Sequence, residues 1–240
     1  MSKTIISLFD FTGIAVKPWA DDGYDCHIYD IKHCEDGGYA DISEHQKYNH
    51  KKITAHQKDL FDYNNLCEII SDNYKNIKLV FCFLPCTHLS VSGARWFPRK
   101  RAENPNFQHD AIRPAVWLSD LCDKLNITYV IENPVSVLST LWRKPNYIFH
   151  PYEYGGYIPK AKSDHPHYPD YVAPQDGYSK KTCLWTSKDF KMPKKFPVHC
   201  KDFGNESYIH KKLGGGSEKS KTLRSLTPRG FAEAVWRSSK

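Results

Sequence analysis

The chain has 240 residues, 40% of them hydrophobic and 14% aromatic, with 34 lysines and arginines against 27 acids. That length builds one sizeable core with a small appendage but not two full domains, and the apolar and aromatic content excludes a disordered chain. No apolar run reaches the ~18 residues of a membrane span and no charged-then-apolar leader opens the chain, so a cytoplasmic protein with no membrane partner is expected.

Thr4-Ile-Ile-Ser-Leu-Phe9 is short, apolar and β-branched and breaks at Asp10-Phe-Thr-Gly13, which predicts a buried strand entering a tight turn. A helix is predicted over the residues after Gly13, through Ala20. Tyr24-Asp-Cys-His-Ile-Tyr29 reads as a second strand ending at Asp30, and Ile53-Thr-Ala-His leads to a third acidic loop at Asp59. Residues 63–74 have helical character, and Lys78-Leu-Val-Phe-Cys-Phe83 is a near-continuous apolar strand ending at Leu84-Pro85-Cys86. Ile112, Val116, Leu118, Leu121 and Leu125 predict a helix over 111–125, which feeds the strand Thr128-Tyr-Val-Ile131 and stops at Glu132-Asn133-Pro134. Strands alternating with helices imply an open, mostly parallel α/β sheet. Ligands of such sheets bind outside the carboxyl ends of the strands, where Asp10 to Gly13, Asp30, Asp59, Cys86 and Glu132 all fall.

From about Pro151 to Pro197, proline, tyrosine, glycine and histidine predict irregular structure held by aromatic packing. Gly214-Gly-Gly-Ser217 reads as a hinge or loop, and Thr227-Pro228 as the start of a final helix running to Arg237, with threonine as its cap. The chain therefore divides into a core, 1–150, an irregular substrate-facing segment, 151–213, and a hinge with closing helix, 214–240. Charge is uneven. Residues 179–240 hold 15 lysines and arginines against 5 acids, the footprint of a phosphate-binding face or of a solvated lysine-rich surface.

The eight cysteines (Cys26, Cys34, Cys67, Cys82, Cys86, Cys122, Cys183 and Cys200) are scattered singly, which reads as a reduced set. With no C-x-x-C pair, and no second ligand pair to match Cys86-Thr-His88 or His165-Pro-His167, no metal site is expected. Cys86 follows a buried strand in a Pro-Cys turn, with Arg95 nearby, which suits a reactive thiol as well as a small buried residue. Glu132 ends an apolar strand, where a carboxylate is costly without a partner. It is either an acid facing a site or a hydrogen-bonded strut.

Leu8-Phe9-Asp10-Phe11-Thr12-Gly13, Asp30, Asp59 in Lys-Asp-Leu-Phe, Pro85-Cys86, Glu132-Asn133-Pro134, Ser179-Lys-Lys-Thr-Cys-Leu-Trp185 and the ending Arg224-Ser-Leu-Thr-Pro-Arg-Gly-Phe-Ala-Glu-Ala234 stand in one order. Together they resemble the motifs of the C5-cytosine DNA methyltransferases, in a short phage-type form. The resemblance implies a Rossmann-like S-adenosylmethionine-dependent methyltransferase fold. It implies S-adenosyl-L-methionine held by Phe9, Asp10, Thr12, Gly13, Asp30, Ile31, Asp59, Leu60 and Pro85. It implies catalysis by Cys86 and Glu132 with Pro85 and Asn133, and substrate contacts from Ser90, Arg95, Trp96, Lys180, Lys181 and Thr182. Attack of a thiolate on C6, with N3 held by an acid, makes the weakly nucleophilic C5 of cytosine enamine-like.

Two departures matter. The first motif lacks the richer glycine pattern common in the family, and the stretch between Trp185 and Gly214 is too short for a large recognition domain. DNA read with weak sequence specificity is therefore the expected partner. A free deoxycytidine nucleotide, RNA, or a non-catalytic nucleic-acid-binding role are the alternatives. A target base in duplex DNA must be flipped out, with Trp96 and Phe97 placed either to stack on it or to pack in the protein. Arg95, Arg99, Lys100 and Arg101 are placed for a lid or a solvated surface.

Overall fold

Five apolar or β-branched runs become parallel strands: β1 (Thr4–Leu8), β2 (Asp25–Tyr29), β3 (Ile53–His56), β4 (Ile77–Phe83) and β5 (Tyr129–Pro134). With β6 (Tyr147–Phe149) and β7 (Thr182–Thr186) they form a seven-stranded sheet of order β3-β2-β1-β4-β5-β7-β6. The computed structural model describes residues 3–33, 50–72, 74–204, 206–213 and 223–240; Cys34 and the expected hinge at 214–217 lie outside them. β7 runs antiparallel to both neighbours. The order is that of a doubly wound, Rossmann-like sheet with one antiparallel strand inserted before the last position. From β1 the chain moves outward through β2 and β3, then jumps back to β4, so the order reverses between β1 and β4.

The central strands are apolar almost without interruption because both of their faces are covered. Ile6, Leu8, Val80, Cys82 and Ile131 face α2 (Tyr63–Ser71) and α4 (Phe107–Leu125). Ile5, Ile28, Phe81 and Val130 face α1 (Lys17–Asp21) and the C-terminal helix (Arg229–Ser238). In α4, Ala111, Ala115, Leu118 and Cys122 form one buried stripe at helical spacing, and Asn126 (φ 56°) ends the helix in the left-handed region. Asp62 caps α2 by accepting from the Asn64 amide at 2.8 Å. No helix among the described residues is long and apolar enough to cross a membrane.

Several expected boundaries move. The first helix begins at Lys17, not directly after Gly13, because residues 14–16 still form a turn. α2 ends at Ser71, and α4 begins at Phe107, one turn before Ala111, with Asp110 in the first turn. β5 continues through Glu132, Asn133 and Pro134, because β7 pairs with all three. The segment expected to be irregular contains β7 itself, alongside 3-10 turns at Pro151–Tyr157, Lys160–Lys162 and Pro174–Asp176. Thr227 does not cap the final helix. Asp176 does that work from a distance, its Oδ2 accepting from the Gly230 amide at 3.0 Å.

That helix start approaches the 151–157 turn closely. A Cβ at Gly230 would overlap the Tyr154 carbonyl oxygen, a backbone atom that cannot rotate away. Gly230→Ala is expected to destabilise the fold by about 1–3 kcal/mol, the cost of overpacking a rigid contact. Urea denaturation measures this, and an unchanged midpoint would show that the two backbones are free to separate.

Candidate active site

All five parallel strands end on one edge of the sheet. β7, running the other way, begins there, since Thr182 lies opposite Pro134. The segment before β7 is thereby delivered to the edge where the acidic loops and the Pro-Cys turn gather, and the switch point between β1 and β4 puts the β1 loop next to Cys86.

The β1 loop is wound around one buried carboxylate. Asp10 Oδ1 accepts from the amides of Thr12 (3.0 Å) and Gly13 (2.8 Å), and Oδ2 from the Ser7 hydroxyl (2.7 Å). Asp10 therefore shapes the loop from inside and does not face a ligand. Phe9 (φ 53°) and Gly13 (φ 70°) both adopt left-handed backbone. For phenylalanine that conformation is strained and needs surrounding structure to hold it. The phenylalanine ring is fixed edge-on to Phe61, with centroids 5.5 Å apart.

Asp30, partly buried after β2, accepts from the Lys32 amide at 2.9 Å. Its pKa is raised, burial outweighing that hydrogen bond and the nearby His33 and Lys32 charges. Ile31 beside it is exposed and Asp59 is exposed, while Leu60 is buried in the core and supports the edge from below. Phe61, which the sequence reading did not single out, lines an open cleft of about 490 Å³ with Pro85, His88, Lys100 and Phe107. Its position two residues after Asp59 was the only available signal.

Cys86 is the one solvent-exposed cysteine among the described residues. Its carbonyl accepts from the Leu89 and Ser90 amides at 3.0 and 2.9 Å, which fixes the turn that carries the thiol. Asn133 is fully buried and donates to the Leu84 carbonyl at 2.7 Å, tying the end of β5 to the Pro85-Cys86 loop. It is thus a positioning residue. Glu132, opposite Phe83 of β4, turns a largely buried carboxylate toward Lys180, whose Nζ stands 3.8 Å from Oε1, and that oxygen accepts no hydrogen bond. Although Cys86 reaches solvent, the protein packed around its thiol pushes its pKa up; the Glu132 charge adds to this and Lys180 opposes it.

That arrangement has a measurable consequence. Glu132→Gln removes the opposing charge and should lower the pH at which Cys86 becomes reactive, whereas Lys180→Met should raise it. Iodoacetamide alkylation of Cys86 followed against pH reports both shifts. Identical profiles in all three proteins would mean that the three side chains are not electrostatically joined.

The remaining expected substrate contacts divide. Lys181 is exposed, but Thr182 is buried and its hydroxyl bonds back to the Lys180 carbonyl at 3.0 Å, so it fixes the lysine and offers nothing to a substrate. Ser90 pairs with Ser92 at 2.9 Å. Trp96 is 50% exposed, under the Arg95 guanidinium at 5.0 Å, whereas Phe97 packs on Phe107. Of the four basic residues expected to form a lid or a solvated surface, Arg95 lies in the 3-10 turn Val91–Trp96 and the other three on α3 (Phe97–Glu103), tethered by Lys100 Nζ donating to the Thr87 carbonyl at 2.6 Å. Among the described residues no group of three or more His, Cys, Asp or Glu is placed to hold a metal.

Neither a family model nor a curated protein matches the chain. Among solved structures, a UDP-glucose 4-epimerase aligns with 52% of this chain at 19% identity and a TM-score of 0.35. The chain spans 33% of that structure's length.

Proposed function

We propose that this protein methylates C5 of cytosine in DNA, with S-adenosyl-L-methionine as methyl donor, Cys86 as nucleophile and Glu132 as the acid that serves it. The observation that carries the reading is the pairing of an exposed thiol with an under-solvated carboxylate on adjacent strand ends, with Lys180 beside them. In the free site the packed protein and the Glu132 charge favour a protonated sulfur. Addition to cytosine needs the reverse, sulfur as thiolate and the carboxyl as acid. The two states carry the same net charge, so moving one proton from Sγ to Glu132 interconverts them without changing the balance against Lys180. Sγ then bonds to C6, and Glu132 passes its proton to N3, which turns C5 into a nucleophile. When C5 later loses its proton to solvent, the Sγ–C6 bond breaks, its electron pair returns to sulfur, and N3 gives its proton back to Glu132.

S-Adenosylmethionine, when bound, supplies an electrophilic methyl group on a sulfonium. The residues of the edge fit such a molecule. The poorly solvated Asp30 carboxyl suits ribose hydroxyls, the exposed Ile31, Phe61 and Pro85 offer apolar faces to an adenine, and the Phe9–Gly13 loop brings backbone close to the rest. Lys180 supplies positive charge at the nucleophile, and Arg95 and Lys181 would add charge for a phosphate backbone. Radiolabelled methyl transfer to duplex DNA, single-stranded DNA and deoxycytidine nucleotides, run side by side, tests the proposal. Label recovered as 5-methylcytosine in DNA supports it. Label confined to nucleotides would keep the chemistry and replace the acceptor, and no label in any acceptor would overturn the reading.

A further inference from the structure

One ionised carboxylate clamps an aromatic turn against the site. Asp202 Oδ1 accepts from the Ser179 amide at 3.2 Å and from the Tyr208 amide at 2.9 Å, at the start of α6 (Tyr208–Leu213). Ser207 closes the clamp by donating from its hydroxyl to the Ser179 carbonyl. Burial pushes the Asp202 pKa up, but the hydrogen bonds from Ser179 and Tyr208 more than offset it, so the net shift is downward and the clamp stays charged.

Within the clamp, Phe203 and Glu206 exchange both backbone hydrogen bonds, at 2.9 and 3.0 Å, and Gly204 takes the left-handed conformation (φ 59°) that the tight turn requires. The turn presents Phe203 at 48% exposure with its ring stacked on Tyr208, centroids 5.5 Å apart. α6 in turn is anchored by Ile209, buried with Ile14 and Tyr178. Ile14 directly follows the Phe9–Gly13 loop, and Ser179 directly precedes Lys180. The unit therefore bridges the two halves of the proposed site.

A single exposed phenylalanine is ordinary. This one is backed by a second ring, held by a charged clamp, and carried on a stretch with the exposed Lys201, Lys211 and Lys212; Lys212 Nζ lies 5.6 Å from the centre of the Tyr208 ring, and Lys211 pairs with Glu206 at 3.5 Å. An aromatic face among lysines has the chemistry of a base-stacking platform on a polynucleotide, with lysines on the phosphates. We propose that Phe203 stacks on a base of the DNA strand that enters the Cys86 site, so that this short turn supplies a contact which a larger recognition element would otherwise make. The proposal rests on DNA being the acceptor.

The test compares wild type, Phe203→Ala and Phe203→Trp in fluorescence anisotropy with labelled cytosine-containing DNA, alongside S-adenosylmethionine affinity and thermal midpoint. Phe203→Ala should bind DNA about tenfold more weakly, the usual scale of losing one base–aromatic stack. Phe203→Trp should restore binding, and cosubstrate affinity and midpoint should stay unchanged. Equal DNA affinity in wild type and Phe203→Ala would overturn the stacking role while leaving DNA as the acceptor. A wild type that binds no DNA, yet methylates deoxycytidine nucleotides, would overturn both. DNA binding without methyl transfer would remove the enzymatic reading alone, and the Phe203 comparison would still decide this one.

Discussion

Serine in place of Cys86 is expected to reduce methyl transfer to DNA by about four orders of magnitude or more, the scale of losing a covalent nucleophile. Serine nearly matches cysteine in shape and the residue reaches solvent, so the change leaves no cavity. What disappears is the thiolate. A serine hydroxyl ionises far above neutral pH, so a carboxylate such as Glu132, able to take the Cys86 proton, is far too weak a base to take this one. Binding should persist, because the cosubstrate contacts and the lysines are untouched. Glu132→Gln should fall less, by about 10²–10⁴-fold, the usual contribution of a positioned acid. It should do so while making the thiol easier to ionise. A variant with a more reactive cysteine and a slower reaction separates an acid that works at N3 from one that merely tunes sulfur. Transfer rates at saturating DNA, set against equilibrium affinities for DNA and S-adenosylmethionine, provide the measurement. Serine turning over at the rate of cysteine would sink the covalent mechanism.

The parallel half of the fold was legible because its physics is local. Strands buried on both faces read as continuous apolar runs, and a polar residue directly after such a run has to lie at the sheet's edge. Asp10, Asp30, Asp59, Cys86 and Glu132 were placed by that logic, and the structure brings all five to one edge. β7 was not legible as a strand. Thr182–Thr186 is five residues long in a proline- and tyrosine-rich surround, and only pairing with β5 and β6, both far earlier in the chain, makes it a strand. Its direction delivers Lys180 to Glu132, so the cation of the site depended on a pairing that no local pattern encodes. Roles were harder to read than positions. Asp10 and Asn133 stand where expected, yet the Asp10 carboxylate is engaged inside its own loop and the Asn133 amide nitrogen with the carbonyl of the neighbouring one. Thr182 likewise turns inward. The sequence reading could locate a polar side chain at the edge, but not show whether backbone partners had already claimed it.

Asp176→Ala is expected to destabilise the fold by about 3–5 kcal/mol, because it strands a buried cation. Asp176 is 1% exposed, and the Arg229 guanidinium lies 3.5 Å from its Oδ1. Arg229 also donates to the carbonyls of Lys162, Ser163 and Asp164 at 2.8–3.2 Å, which tie the start of the C-terminal helix to the segment before β7. Burial raises the Asp176 pKa despite Arg229, so the pair is held at a cost rather than being a source of stability in itself. Its two partners nonetheless depend on each other. Asp176 and Gln175 both sit at positive φ, 51° and 53°, a strained conformation that the bond from the Gly230 amide to Asp176 helps to hold. Removing the carboxylate releases that turn, uncaps the helix and leaves the guanidinium without its counter-ion. Replacing both residues at once, as Asp176→Ala with Arg229→Met, removes the stranded charge and should recover part of the loss. A double-mutant cycle in urea isolates that coupling. If Asp176→Ala cost under about 1 kcal/mol, within the range of an ordinary surface pair, the buried anchor would not be what joins the C-terminal helix to the segment before β7.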